Sequence, residues 1–477
     1  MNSPKPLRAF LPLITLLFFL SSVARAEEFP KGVLIEKVVC QADAEQSYAL
    51  YLPAAYTPQK KWPVIYAFDP EGLGNQPVAL YKEAAERYGF IVAGSYNSQN
   101  GIQPAPLQTA IVSLLNDTRQ RFSIDERRIY TTGFSGGARV ATRVASSCAG
   151  CIAGVIACGA GFPPDIKPTE AVPFAFFGTV GMDDFNYPEL RRLDALLASF
   201  NLPHHVATFD GRHQWASSEL LAEAVEWMEL QAMRAHRRER DEALIETLWK
   251  RNLERARASE AAKKFYEAYM EYVSLAADFK NLKDVSEYEK KAASLKEMKE
   301  VKQALKSEQE QLTKQLELAQ QLINLGGKLL SDPSERSDAM KEMRNIIAGL
   351  REKAHATEET PERHVARRAL GQVLAQTYEA ATLNYHPGGQ YDLAIVNLEV
   401  AEEIFPKGAQ IPYELARAYA MRGEKKKAIE SLKRAVAKGF PDSSAIETQP
   451  DFVSLRAEEE FKSIVKNLKE GKPPKSD

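Results

Sequence analysis

Ser135 stands at the centre of Gly133-Phe134-Ser135-Gly136-Gly137, between two stretches of different character. Before it, Arg128-Ile129-Tyr130-Thr131-Thr132 is rich in β-branched and aromatic residues and reads as a buried strand. After it, a run opening at Ala138 carries Val140, Ala141, Val144 and Ala145 at helical spacing. A Gly-x-Ser-x-Gly between strand and helix is the nucleophile elbow, in which only glycine fits beside so sharp a turn and the serine hydroxyl is held out where a base can reach it. Acid and base then follow later in the chain. Asp183 and Asp184 lie in the segment after the strand-like Phe174-Ala175-Phe176-Phe177-Gly178, and His213 in the loop after His205-Val206-Ala207-Thr208-Phe209. Serine, carboxylate and imidazole in that order can carry nucleophilic acyl transfer.

The elements that must position these residues are strands alternating with helices. Pro and Gly punctuate them, which predicts a mostly parallel sheet covered on both faces. Residues 33–230 resemble the α/β-hydrolase fold, and more narrowly its esterase, feruloyl-esterase and polyhydroxybutyrate-depolymerase-like branch. The approach Asp125-Glu126-Arg127-Arg128-Ile129-Tyr130 and the elbow carry that likeness. The resemblance implies Ser135 as nucleophile, His213 as general base and then acid, and a carboxylate that holds the imidazole.

Two departures from the family pattern stand out. Gly181 occupies the position where the family places its acid, and the carboxylates come later as Asp183 and Asp184. Adjacent side chains point apart, so one of them bonds the ring. Asp184 is favoured because it heads Asp-Phe-Asn-Tyr into the next helix, with Asp183 as the alternative. The other departure follows the strand Val64 to Phe68, where His-Gly is replaced by Asp69-Pro70-Glu71-Gly72. Proline has no N–H, which leaves the amides of Gly136 and Glu71 as the expected oxyanion donors. Asn97-Ser98-Gln99-Asn100-Gly101 falls at the same sheet edge and reads as an ordinary polar loop, with a pocket-lining role as its alternative.

Lys5 and Arg8 precede an apolar run from Ala9 to Leu20, and Ala24-Arg25-Ala26 is a small-residue cleavage signal. Residues 1–26 are therefore expected to be a secretory signal peptide, cut after Ala26, and the mature chain periplasmic or secreted without a membrane span. The four cysteines are Cys40, Cys148, Cys151 and Cys158. Cys148 and Cys151 end the helix after the elbow, where the dipole opposes thiolate formation. They read as a disulfide or a pair of buried thiols. A net charge of −2 gives no electrostatic footprint for nucleic acid. His204, His236, His355, His364 and His386 show no metal-ligand spacing, and no metal or cofactor is expected.

Composition changes near residue 231. Residues 27–231 form the hydrolase-like domain, and 232–331 become rich in Ala, Glu, Lys, Gln and Leu with almost no breakers, predicting one long helix packed in a hairpin. Met298, Leu305, Leu312 and Ala319 recur at sevens, while the companion series Val301 and Leu322 is interrupted by Glu308 and Gln315. Asp332-Pro333-Ser334 marks a fresh helix start. Within 332–470, Tyr385/Tyr419, Gly389/Gly423, Ala394/Ala428, Ile395/Ile429, Leu398/Leu432 and Ala401/Ala435 repeat at an offset of 34 residues. That period resembles the tetratricopeptide repeat, which implies a helical groove for a protein or peptide. Residues 471–477 are expected to be a disordered tail.

The functional expectation is a serine hydrolase acting on a small-molecule or polymeric carboxylic ester, fused to a helical repeat module that carries no chemistry. A fragment ending near 231 would then keep its activity. The alternatives are a catalytically inactive scaffold that binds proteins, and an acyltransferase or peptidase on the same fold.

Overall fold

The protein is represented by a computed structural model that describes residues 28–148, 150–331 and 334–470. The expected signal peptide, the Asp332-Pro333 break and the expected tail lie outside the described residues. Eight strands form one sheet: β1 Leu34–Val39, β2 Ser47–Tyr51, β3 Trp62–Phe68, β4 Ile91–Ser95, β5 Ile124–Phe134, β6 Gly154–Cys158, β7 Ala175–Gly181 and β8 His204–Phe209. Their spatial order is β1-β2-β4-β3-β5-β6-β7-β8. The β1–β2 and β2–β4 pairs are antiparallel and the others parallel.

β3, β4, β6 and β7 are buried along their whole length, as strands covered on both faces must be. Five helices supply the cover: α1 Asn75–Tyr88, α2 Pro104–Arg121, α3 Gly136–Ser147, α4 Tyr187–Ser199 and α5 Ser218–Arg234. Alternate strand residues feed two cores. Val64, Tyr66 and Phe68 pack with Leu114 of α2, Ala141 of α3 and Leu190 of α4. On the opposite face, Ile65 and Val92 pack with Tyr81 of α1 and Val225 of α5. Cys148 and Cys151 form a disulfide, whereas Cys40 and Cys158 are free and buried. Burial pushes both thiols up, Cys40 to about 11 and Cys158 to about 12.

The rest of the chain is helical: α6 Glu242–Ala261, α7 Phe265–Phe279, α8 Ser286–Lys296, α9 Lys299–Ser331, α10 Arg336–Ala354 and α11 Pro361–Glu379. A π-helical segment, Ala380–Tyr385, continues α11. Then come α12 Tyr391–Ile404, α13 Gln410–Arg422, α14 Lys425–Ala437, α15 Ser443–Thr448, a 3₁₀ segment Pro450–Leu455 and α16 Glu459–Lys469.

The segment expected to be one helix in a hairpin is thus four helices, and α5 runs through residue 231 without a break. Two of its breaks are made by non-glycine residues in left-handed backbone, Lys263 at φ 59° and Asn281 at φ 68°, and composition does not mark them. In the last part, Gly389 and Gly423, 34 positions apart, both adopt positive φ at helix ends. Ala394, Ala401, Ala428 and Ala435 are fully buried between neighbouring helices, where small side chains permit close packing.

Candidate active site

β5 delivers Ser135 and α3 departs from it. The Ser135 backbone sits at φ 52°, ψ −118°, a conformation that costs a non-glycine residue about 1–3 kcal/mol and that only over-determined surroundings maintain. Those surroundings are tight. A side chain on Gly133 would meet the Gly137 carbonyl at 2.2 Å, and one on Gly137 would meet the Phe68 carbonyl at 2.0 Å. The Ser135 amide is also tied to the Cys158 carbonyl at 2.8 Å, which fixes the turn against β6.

The Ser135 hydroxyl lies 2.8 Å from His213 Nε2. His213 Nδ1 lies 2.9 and 3.0 Å from the two oxygens of Asp184, which is fully buried. A buried carboxylate accepts, so Nδ1 carries the proton and Nε2 is left to accept from the serine. The Asn186 amide also donates to Asp184 Oδ1 at 2.8 Å, and the rings of Phe134 and Phe185 flank the imidazole with centroids at 4.6 and 4.2 Å.

Of the adjacent carboxylates, Asp184 is therefore the one that reaches the ring. Gly181 cannot host an acid, because a side chain there would lie 2.4 Å from the Gly211 carbonyl of the histidine loop. Asp183 points the other way and accepts from His364 Nδ1 and Arg367 Nη1, both at 2.6 Å. Burial alone would raise its pKa, but the bonds from His364 and Arg367 outweigh it and hold the carboxyl below its ordinary value.

The expectation for the Glu71 amide requires correction. Its N–H donates to Asp69 Oδ1 at 2.9 Å, and Leu73 N–H reaches the same oxygen at 3.3 Å. Gly72 N–H donates to the Asp69 carbonyl at 3.1 Å. Asp69 is itself buried and fixed by Trp215 Nε1 at 2.9 Å. An amide engaged in this way is not free for an oxyanion. Gly136, by contrast, is the first residue of α3, where an amide has no acceptor within its own helix.

Ser135 opens on a cavity of about 650 Å³. Asn100, Arg139 and Phe185 line it from the sheet domain, and Leu316, Gln372, Gln376, Glu379 and Leu383 from the helical half. Asn100 thus belongs to the pocket, while Asn97 in the same loop is structural and accepts from the Ser47 amide at 2.9 Å. Loss of hydration raises the pKa of Glu379, against a lowering influence from His213 and Arg139. Among the described residues, no group of three or more His, Cys, Asp or Glu side chains could hold a metal ion.

The helical half thus supplies part of the cavity wall, and the heptad series holds a signal for its grip on the sheet domain. Glu308 and Gln315 are the polar residues that interrupt the apolar spacing on α9. Glu308 accepts from Tyr187 Oη at 3.0 Å, Arg191 Nε at 2.8 Å and Tyr266 Oη at 2.8 Å. Gln315 Nε2 donates to the Phe185 carbonyl at 2.9 Å. Both therefore grip the segment that holds Asp184.

No protein-family description matches this chain, and no curated protein matches it. Solved structures do. The chain is similar to FphF, a fluorophosphonate-binding serine hydrolase of Staphylococcus aureus, at 14% identity and a TM-score of 0.34, over 41% of this chain and 97% of that one. It is similar to the esterase LipW of Mycobacterium marinum at 20% identity and a TM-score of 0.33, over 42% and 81% of the two chains. A third likeness is to Est1E of Butyrivibrio proteoclasticus, at 15% identity and a TM-score of 0.32, covering 41% and 97%.

Proposed function

We propose that this protein is a secreted or periplasmic serine hydrolase that cleaves carboxylic esters through an acyl-enzyme. The observation that carries the reading is the continuous line from Ser135 Oγ through His213 to Asp184, with contacts of 2.8 and 2.9 Å. Ser135 Oγ attacks the ester carbonyl as its proton passes to His213 Nε2, and Asp184 stabilises the imidazolium. The Gly136 amide faces the oxyanion. Collapse of the tetrahedral intermediate breaks the carbonyl–alkoxy bond, and His213 returns the proton to the departing alcohol. Water then enters by the same route, with His213 as base, and releases the acid and free Ser135.

The 34-residue repeat supports a tetratricopeptide-like module at the carboxyl end, with a protein or peptide as its partner. A second reading, an inactive scaffold, is favoured by one observation: the Glu71 amide is consumed by Asp69.

The two are separated by an alkyl fluorophosphonate and 4-nitrophenyl butyrate applied to the purified full chain. The hydrolase reading expects labelling at Ser135 and turnover, both abolished in Ser135→Ala. A folded wild-type chain that shows neither is the scaffold.

A further inference from the structure

With Pro70 lacking an N–H and the amides of Glu71, Gly72 and Leu73 all engaged by Asp69, the loop after β3 has no donor left for an oxyanion. One backbone amide, that of Gly136, is a thin provision for a charge that such sites meet with two or more donors. We propose that the side-chain amide of Asn100 is the second oxyanion donor. This rests on the hydrolase reading above and extends it to a catalytic residue that the family pattern does not place.

Three observations point to Asn100. Its side chain reaches over the amide-bearing end of α3, because a side-chain carbon on Gly136 would lie 1.8 Å from Asn100 Oδ1 and 3.0 Å from Nδ2. A glycine at 136 is therefore what admits this carboxamide beside the nucleophile. Both Asn100 and Ser135 open on the same cavity. The residue is also held in place by its backbone alone: its N–H donates to the Pro70 carbonyl at 2.8 Å, and its side-chain amide has no hydrogen-bond partner among the described residues. The loop that lost its own donor thus anchors a replacement. A half-turn about the Cβ–Cγ bond exchanges Oδ1 and Nδ2, which brings the NH₂ group to the place beside Gly136 that Oδ1 occupies. Asparagine is a chemically suitable donor, since its amide binds an oxyanion without a proton to lose.

The test compares wild type, Asn100→Leu, Asn100→Asp and Gln99→Ala as full-length proteins on 4-nitrophenyl butyrate, with a trifluoromethyl ketone as an inhibitor whose serine adduct carries the oxyanion. Loss of one such donor lowers kcat by about 10²–10³-fold. Asn100→Leu should show that loss with KM changed by less than about threefold, and should weaken the ketone by a similar factor. Asn100→Asp, of nearly the same volume, should be at least as slow because a carboxylate repels the oxyanion. Gln99→Ala should stay within about threefold of wild type. Retention of kcat in either Asn100 variant, or a loss confined to KM, overturns the proposal while leaving the hydrolase intact. Wild-type protein that neither turns over the ester nor labels at Ser135 overturns both.

Discussion

Asp183 and Asp184 are neighbours in sequence with opposite employment. Alternation of side-chain direction predicts that they part, and the place of Asp184 at the head of Asp-Phe-Asn-Tyr favours it as the partner of His213, against which it lies. What Asp183 does instead was illegible, because its partners His364 and Arg367 stand 181 and 184 positions away. Asp184→Asn should lower ester turnover by about 10⁴-fold, since it leaves the imidazole in the wrong tautomer. Asp183→Asn should keep turnover within about tenfold and lower the unfolding temperature instead. Both are read from steady-state rates beside a melting curve, and the opposite pattern would reassign the acid. The Asp69 loop teaches a related lesson. A missing N–H at Pro70 can be read from sequence, whereas the capture of the Glu71 and Leu73 amides by the Asp69 carboxyl depends on how Trp215 pins that carboxyl.

At the scale of elements, the elbow was legible because strand, turn and helix adjoin in sequence. The helices of 232–331 were not, since Lys263 and Asn281 break them without glycine or proline. The most informative element is α9, whose 33 residues span about 50 Å. Its heptad is spoiled where Glu308 and Gln315 face the segment that carries Asp184. Burial would raise the Glu308 pKa, but the bonds from Arg191, Tyr266 and Tyr187 prevail and hold it low. Glu308→Ala leaves the largely buried Arg191 guanidinium with Asp194 as its remaining carboxylate and two tyrosine hydroxyls without their acceptor. It should cost about 2–4 kcal/mol of stability, measured by urea denaturation, and Glu308→Gln should recover part of that loss. An unchanged midpoint for Glu308→Ala would show that α9 does not brace the acid segment.

Across the whole molecule, two of the junctions that fasten the helical half to the sheet domain behave oppositely towards acid and base. Asp183 has its folded pKa below the ordinary 3.8, so its stabilisation is present above that value and lost as pH falls through the lowered one. On the other side, His205 Nδ1 lies 3.4 Å from Asp278, which also accepts from Trp227 Nε1 at 2.6 Å. Burial alone would lower the His205 pKa, but Asp278 outweighs it and raises it above 6.5. That contribution is full below 6.5 and is lost as pH rises through the raised value. The melting temperature should therefore decline at both ends, with Asp183→Asn flattening the acid limb and His205→Phe the alkaline one. The expectation that a fragment ending near 231 keeps its activity is revised accordingly. Such a fragment lacks one wall of the cavity and the bonds that Glu308, Gln315, His364 and Arg367 make to residues 183–191. It should lose at least tenfold in ester turnover and melt at lower temperature than the full chain.

The fastening of Asp183 by His364 and Arg367 has a consequence in time as well as in space. A ribosome adds about 5–20 residues per second, so the clasp emerges roughly 10–30 s after His213 has left the exit tunnel. Through that interval the nascent polypeptide holds its serine and imidazole without the brace that steadies their carboxylate. The brace on the segment that carries Asp184 therefore becomes available only once synthesis has passed Arg367.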